Sequence, residues 1–195
     1  MASAIERIEA SSDPLLRALA AELGHEEGAR VYLERLRWPD GTRCPRCDGT
    51  SVLRLQARRK YHCAACKYQF RVTAGTRLHD SHAPGWKWLV AVDLMMSGAE
   101  PLTTGELQET LGGSFKTAWF LQHRIREALA TEADRALSGV PRRRTSRKYR
   151  HAYWAELRWR ATEGGETDRF RATILTLLEA EPLEYRQLIG RSVTP

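Results

Sequence analysis

Two CxxC pairs constrain the fold of this chain more than any other feature. Cys44-Pro-Arg-Cys47 and Cys63-Ala-Ala-Cys66 are separated by 15 residues and hold all the cysteines of the 195-residue sequence. Each CxxC turn directs two thiolates at one point, and a short hairpin can bring the two turns together. Four thiolates complete a tetrahedral shell and leave no position for water. We therefore predict one structural Zn2+ bound by Cys44, Cys47, Cys63 and Cys66.

Disulfide bonds and redox chemistry are the alternative uses of these cysteines. Disulfides need an oxidising compartment, and the first residues of the chain lack the pattern of a secretory signal. A thioredoxin-like site would not require a second CxxC. His62, His79 and His82 lie nearby, but a complete cysteine set leaves them unneeded as ligands. The residues between and after the pairs alternate between apolar and polar, which predicts three short strands and hence a zinc ribbon.

Composition is typical of soluble globular proteins, with 42% hydrophobic and 28% charged residues. The apolar run from Trp86 to Met96 is too short to span a bilayer and contains Lys87 and Asp93. We therefore expect no membrane-spanning segment and a cytoplasmic, nucleoid-associated protein.

The net charge of +7 is concentrated in two segments. Residues 38–80 carry nine basic and three acidic side chains, and residues 138–195 carry twelve and seven. Such clusters suit phosphate backbones, although ordinary solvated surfaces and disordered linkers also contain them. Within these segments we predict that DNA is contacted by Arg58, Arg59, Lys60, Arg142, Arg143, Arg144, Arg147 and Lys148.

Helical patterns flank the ribbon on both sides. The segment 14–23 has Asp13 as its cap and Gly24 as its stop, and a second helix is predicted over about 26–37, before Pro39. Beyond the ribbon a largely apolar helix is predicted over 86–97. Two further helices are predicted in the tail, over 146–162 and 167–180. Their aromatic side chains need a packing partner, either the rest of the chain or a second copy.

Between the ribbon and the tail, a helix with a capping box of Thr103 and Glu106 ends before Gly112-Gly113, and a longer helix follows from Ser114. A short helix, a glycine turn and a longer helix are typical of a helix-turn-helix, whose last helix enters the major groove. A bare helical hairpin is the alternative. An apolar stripe containing Leu121 and Ile125 would face the other helices. The opposite face and the helix start would contact DNA through Ser114, Lys116, Thr117, Phe120, His123 and Arg124.

Four stretches of the sequence carry a family resemblance. RWPDGTRCPRC (37–47), YHCAACKYQFRVTAGT (61–76), GWKWLVAVDLMMSG (85–98) and KTAWFLQHRIREAL (116–129) resemble the N-terminal part of zinc-ribbon insertion-sequence transposases of the DDE type. The resemblance covers roughly residues 26–130, in order and without large gaps. It implies a ribbon and a helix-turn-helix that bind the terminal repeats of the element.

The sequence departs from this family after Leu137. Members of the family continue into a catalytic domain of RNase H-like fold, and no such segment appears here. Residues 146–160 and 168–190 instead resemble the far C-terminus of the same transposases, although Ala161-Thr162 replaces a polar Asn-Arg pair often seen there. The chain therefore resembles both ends joined near 139–144, without catalytic residues. Two amphipathic helices with a basic linker are the alternative interpretation.

We therefore expect a mainly α fold with a small β zinc ribbon. It would comprise N-terminal helices (1–37), the ribbon (38–80), a helix-turn-helix three-helix unit (81–137), and a basic linker with a helical tail (138–195). The expected function is zinc-dependent binding of double-stranded DNA by a transposase-derived protein that is not itself an enzyme.

Two other functions remain open from the sequence. The chain can be the DNA-binding subunit of a complex for DNA transposition and recombination whose catalytic domain lies on another polypeptide. It can also be a zinc-ribbon adaptor for protein interaction. The protein partner that we expect is a second copy in a homodimer or a full-length transposase relative.

Overall fold

The computed structural model describes residues 4–55, 59–97, 101–131, 134, 147–162 and 165–190. Within these ranges the chain is mainly α-helical with a small antiparallel sheet, which confirms the expected fold class. None of the helices in the described ranges has both the length and the apolar composition needed to cross a membrane.

Three helices precede the ribbon: α1 (Ala4–Glu9), α2 (Pro14–Leu23) and α3 (His25–Arg37). Asp13 caps α2 as predicted, because its carboxylate accepts hydrogen bonds from the backbone amides of Leu15 and Leu16. α2 and α3 approach so closely that a Cβ atom on Gly28 would lie 2.7 Å from the backbone of Leu19. α1 was not predicted, since its six residues are too few to give a periodic pattern.

The ribbon contains three antiparallel strands in sequential order: β1 (Val52–Leu55), β2 (Lys60–Cys63) and β3 (Gln69–Phe70). Val52 pairs with Cys63, and Tyr61 pairs with Phe70. Tyr61, Phe70 and Cys63 belong to a small core of their own, and the Trp38 ring meets the Tyr61 ring edge-on at 5.2 Å. A core of this size does not hold a fold together alone, so the ribbon needs a further cross-link.

Three helices follow the ribbon: α4 (Gly85–Ser97), α5 (Thr104–Leu111) and α6 (Phe115–Leu129). Thr103 and Glu106 form the predicted capping box of α5, and the Ser114 hydroxyl accepts a hydrogen bond from the Thr117 amide to cap α6. α5 and α6 are joined through Gly112 and Gly113, both with positive φ. α4 is buried along most of its length, which explains why its apolar residues show no single stripe.

The tail begins with a 3-10 turn (Arg147–Tyr149) and continues as α7 (Arg150–Thr162), α8 (Glu166–Glu179) and α9 (Tyr185–Gly190). α7 packs on α6 and α8 packs on α4. Ala155, Phe170 and Leu177 of the tail belong to the same hydrophobic core as Ile8 and Leu121. The aromatic tail therefore packs on this chain, and the three helical segments share one core. The short helix α9 was not predicted.

Candidate metal centre and nucleic-acid interface

The Sγ atoms of Cys44, Cys47, Cys63 and Cys66 all lie within 4.8 Å of one another. The Cys44–Cys66 and Cys47–Cys63 sulfur pairs are each 3.6 Å apart. Four sulfurs at the usual Zn–S distance of about 2.3 Å would stand about 3.8 Å apart in a tetrahedron. The sulfurs are thus spaced to hold one structural Zn2+, which confirms the cofactor predicted from the sequence.

The two CxxC turns have the same backbone hydrogen bonds. The amide of Cys44 donates to the Gly49 carbonyl (3.0 Å), and the amide of Cys63 donates to the Tyr68 carbonyl (2.9 Å). In each turn the residue after the second cysteine, Asp48 or Lys67, has a positive φ. Both turns therefore bend in the same way to direct two sulfurs at one point. The CxxC spacing in the sequence was enough to predict this geometry.

The hydrogen bonds within the cluster shift the pKa values of two thiols in opposite directions. The backbone amide of Cys66 lowers the pKa of Cys63 to about 7, against the effect of burial. The amide of Gly49 lowers the pKa of Cys47, but the Cys66 and Cys63 thiols outweigh it and raise that pKa to about 12. Zinc binds thiolates, so the backbone amides around Cys63 favour the form of this thiol that binds the metal.

Among the residues that the structure describes, the group suited to a metal consists of the four cysteines and includes no histidine. Cys44 and Cys63 are buried, whereas Cys47 is exposed on the outside of the ribbon. The Arg46 guanidinium lies 4.2 Å from the Tyr68 ring centroid, so the aromatic layer continues from the core to the zinc turns. Contacts of this kind connect the zinc turns to the small core of the ribbon.

The predicted DNA contacts of the ribbon lie partly on its surface. Arg59 is exposed, and its Nη1 atom lies 3.1 Å from Oε1 of Glu26. Lys60 is half-buried at the start of β2. Arg58 falls outside the described residues. In the tail, Arg142, Arg143 and Arg144 also fall outside them, as does the side chain of Arg147. Lys148 is half-buried, with Nζ 5.4 Å from the Tyr149 ring centroid.

The predicted DNA contacts of α6 divide into two groups. Ser114 and Lys116 are exposed at the start of the helix, and Thr117 and Phe120 are half-buried. His123 and Arg124 are only 1% and 2% exposed, so the expected solvent-facing position of these two side chains is wrong. The reason is that other parts of the chain cover them, and in this conformation neither is available to a duplex.

α7 covers the polar face of α6. The His123 ring lies between aromatic rings, with centroids 4.3 Å from Trp119 and 4.6 Å from Tyr149. Burial lowers the pKa of His123 to about 3, and the nearby Arg126 charge acts in the same direction. Glu127 is paired with His151 of α7 at 2.6 Å. The first turn of α6, rather than its whole polar face, therefore remains open to solvent.

Two neighbouring grooves bring the ribbon and the first turn of α6 to one surface. The first, which we call the ribbon groove, has a volume of about 510 Å3 and is lined by Lys60, Arg71 and residues 79–82. The second, the helix groove, has a volume of about 430 Å3 and is lined by residues 79–83, Lys116 and Arg124. Residues 79–82 form a wall of both grooves. The sequence pattern did not single out Arg71, because only the folded chain places it in a groove that shares residues 79–82 with the groove beside α6.

Comparison with known proteins gives a match for the ribbon. Residues 24–69 match a family model described as "Transposase zinc-ribbon domain". This segment contains all four cysteines, the whole of α3 and the first two strands. No curated protein and no solved structure matches the chain. The chain thus carries a transposase-type zinc ribbon in this segment, and α4 to α9 lie beyond the matched residues.

Proposed function

We propose that this chain is a zinc-dependent DNA-binding protein derived from a transposase, and that it binds element-end or regulatory DNA without strand-transfer activity of its own. The observation that carries the proposal is the transposase-type ribbon with its cysteine cluster. The cluster fixes the ribbon strands, and the strands fix the basic side chains beside them.

The position of the basic residues supports binding to a phosphate backbone. Lys60 and Arg71 line the ribbon groove, and Lys116 lines the helix groove, which shares residues 79–82 with it. The N-terminus of α6, which Ser114 caps, lies next to Lys116, and the backbone amides at a helix N-terminus attract phosphate groups. A duplex laid across residues 79–82 would contact both elements. In this proposal α5 and α6 form the predicted helix-turn-helix, and the start of α6 contacts the duplex.

The chain that follows α6 supports the second half of the proposal. α7 covers the polar face of α6 and α8 packs on α4, so the tail completes the core of the DNA-binding unit. Transposases of the DDE type place three carboxylates on a sheet to hold metal ions, whereas the described residues of the tail form helices. We assign the tail a structural part in the same unit.

A selection from a random duplex library would test DNA binding, with the selected duplex then measured by fluorescence anisotropy against a scrambled control. We expect preference for the selected duplex and an affinity that falls with salt, by about 0.9 log units per log unit of salt for each phosphate contacted. Arg71→Gln and Lys116→Gln should each lower that slope by about 1. Arg35→Gln is the matched control, because Arg35 is exposed in a separate groove beside β1.

Several results would count against the proposal. Equal binding to selected and scrambled duplexes at every salt concentration would overturn specific DNA binding. Capture of a protein partner from nuclease-treated extract by such a chain would then favour the adaptor. Strand transfer by the purified chain with Mg2+ would overturn the absence of enzymatic activity.

A further inference from the structure

The helix groove is a cavity of small-molecule size with one charged wall. Its volume of about 430 Å3 lies in the range of ligand sites, which is about 300 to 1,000 Å3. Phe120 and Leu121 of α6 and Leu183 before α9 give it apolar walls. Arg124, which is 2% exposed, also lines the groove. Apolar walls with one buried cation suit a ligand that has both an apolar body and an anionic group.

Arg124 has donors that the rest of the chain does not use. Its Nη2 atom donates to the carbonyl oxygen of His79 (2.9 Å), and its guanidinium lies 4.8 Å from the Phe120 ring centroid. Its Nε and Nη1 atoms are buried and form hydrogen bonds with no atom of the described residues. A buried charge with unused donors costs free energy unless an anion accepts from it. A carboxylate or phosphate group matches such a fork of donors.

The charges at the groove favour an anion on balance. Lys116 lies at the start of α6, where the helix dipole also attracts negative charge. Two carboxylates, Asp80 and Glu184, line the groove as well, and like Lys116 both residues are exposed, so water screens all three charges. Arg124 is 2% exposed, and its field is therefore less screened inside the cavity. Burial lowers the pKa of Arg124 to about 10, which leaves it charged at neutral pH.

We propose that the helix groove binds a small organic anion, with its carboxylate or phosphate on the Arg124 guanidinium and its apolar body against Phe120 and Leu183. The ligand is a free small molecule rather than a DNA phosphate, because a backbone phosphate on a rigid duplex does not reach a guanidinium that is 2% exposed. The site goes beyond the proposed DNA binding and does not depend on it.

Calorimetric titration of the zinc-loaded full chain tests the site with four probes. Benzoate and phenyl phosphate carry an anion on an aromatic ring, benzamide is the neutral analogue of benzoate, and inorganic phosphate lacks the ring. We expect at least one aromatic anion to bind, benzamide to bind at least tenfold more weakly, and inorganic phosphate to bind more weakly than phenyl phosphate. Equal affinity for benzoate and benzamide, or no binding of either aromatic anion, would overturn the proposal. This comparison needs no variant.

Variants locate the binding in the groove. Arg124→Gln should lower the affinity of the bound anion at least tenfold. Ala83→Leu should weaken it while Arg124 stays in place, because the larger side chain occupies part of the cavity that Ala83 lines. Arg37→Gln is the control, since Arg37 is a half-buried arginine whose pKa burial also lowers to about 10, but it lies outside this groove. Loss of binding in Arg37→Gln and not in Arg124→Gln would place the anion elsewhere.

The outcome is separate from that of the DNA experiment. Absence of anion binding in a chain that still prefers its selected duplex would overturn the ligand site alone. Anion binding in a chain without DNA preference would support the site and overturn the proposed function.

Discussion

Arg126 of α6 and Glu156 of α7 form an ion pair in which both side chains are fully buried, with Nε 2.5 Å from Oε2. The Arg126 guanidinium also lies 3.9 Å from the Tyr153 ring centroid, and its Nη2 atom donates to the carbonyl oxygen of Leu102. The pair therefore connects α6, α7 and the residue before the α5 cap. It fixes the register in which the tail covers α6.

The Glu156→Leu substitution is predicted to destabilise the chain by about 3 to 5 kcal/mol, because it leaves the Arg126 charge buried without its partner. The double variant Arg126→Met with Glu156→Leu should recover part of that loss, since two apolar side chains of similar volume need no charge compensation. Arg160, whose Nη1 lies 3.6 Å from Glu156 Oε1, keeps the recovery incomplete. Urea denaturation measures both variants. A double variant as unstable as the single one would contradict the view that the uncompensated Arg126 charge causes the loss.

Removal of zinc is predicted to unfold the ribbon before the helical core. The ribbon has a small core of its own, and structural zinc in such modules contributes on the order of 10 kcal/mol. Addition of a chelator should abolish the amide dispersion of residues in β1 to β3 in NMR spectra, while the signals of α4 and α6 persist. Refilling with Zn2+ should restore them. Retention of the ribbon signals after complete metal removal, shown by elemental analysis, would contradict this prediction.

The parts of the fold that the sequence predicted are those fixed by local chemistry. The cysteine spacing is set by tetrahedral ligation, and Asp13 and Thr103 are caps whose partners lie within a few residues. The solvent-facing position expected for His123 and Arg124 was wrong. A polar face is taken as exposed unless its covering partner is known. For His123 the partner is the start of the tail, with Tyr149 and Tyr153, about 20 residues beyond the end of α6. For Arg124 it is the chain at His79 and the Trp88 ring of α4.

Asp13 is predicted to be another residue on which the packing of the tail depends. Its carboxylate is fully buried, caps α2, and accepts hydrogen bonds from the Tyr32 hydroxyl (2.8 Å) and from Nη2 of Arg171 (3.0 Å) in α8. Asp13→Ala should lower the free energy of unfolding by about 3 kcal/mol, through loss of a cap and of a buried acceptor. Asp40→Ala, at an exposed turn, is the control and should stay within about 0.5 kcal/mol. Equal midpoints in urea for the two variants would contradict the role given to Asp13.

His123 is predicted to make the stability of the chain depend on pH between about 6.5 and 3. Burial lowers the pKa of His123 to about 3, so in this window the unfolded chain binds a proton that the folded chain does not. The free energy of unfolding therefore carries the full contribution above pH 6.5 and falls as the pH is lowered, by up to about 1.4 kcal/mol per pH unit.

The test compares the His123→Phe variant with the unaltered chain in urea denaturation at several pH values. Phenylalanine keeps a ring among Trp119, Tyr149 and Tyr153 and replaces a side chain whose Nδ1 atom is buried without a hydrogen-bond partner in the described residues. The variant should lose stability less steeply below pH 6.5. Acid also protonates the zinc thiolates, but this affects both chains equally and cancels in the difference. The exposed His82 provides the control: His82→Phe should keep the slope of the unaltered chain. Identical slopes for His123→Phe and the unaltered chain would contradict the prediction, because they would mean that His123 has the same pKa in the folded and the unfolded chain.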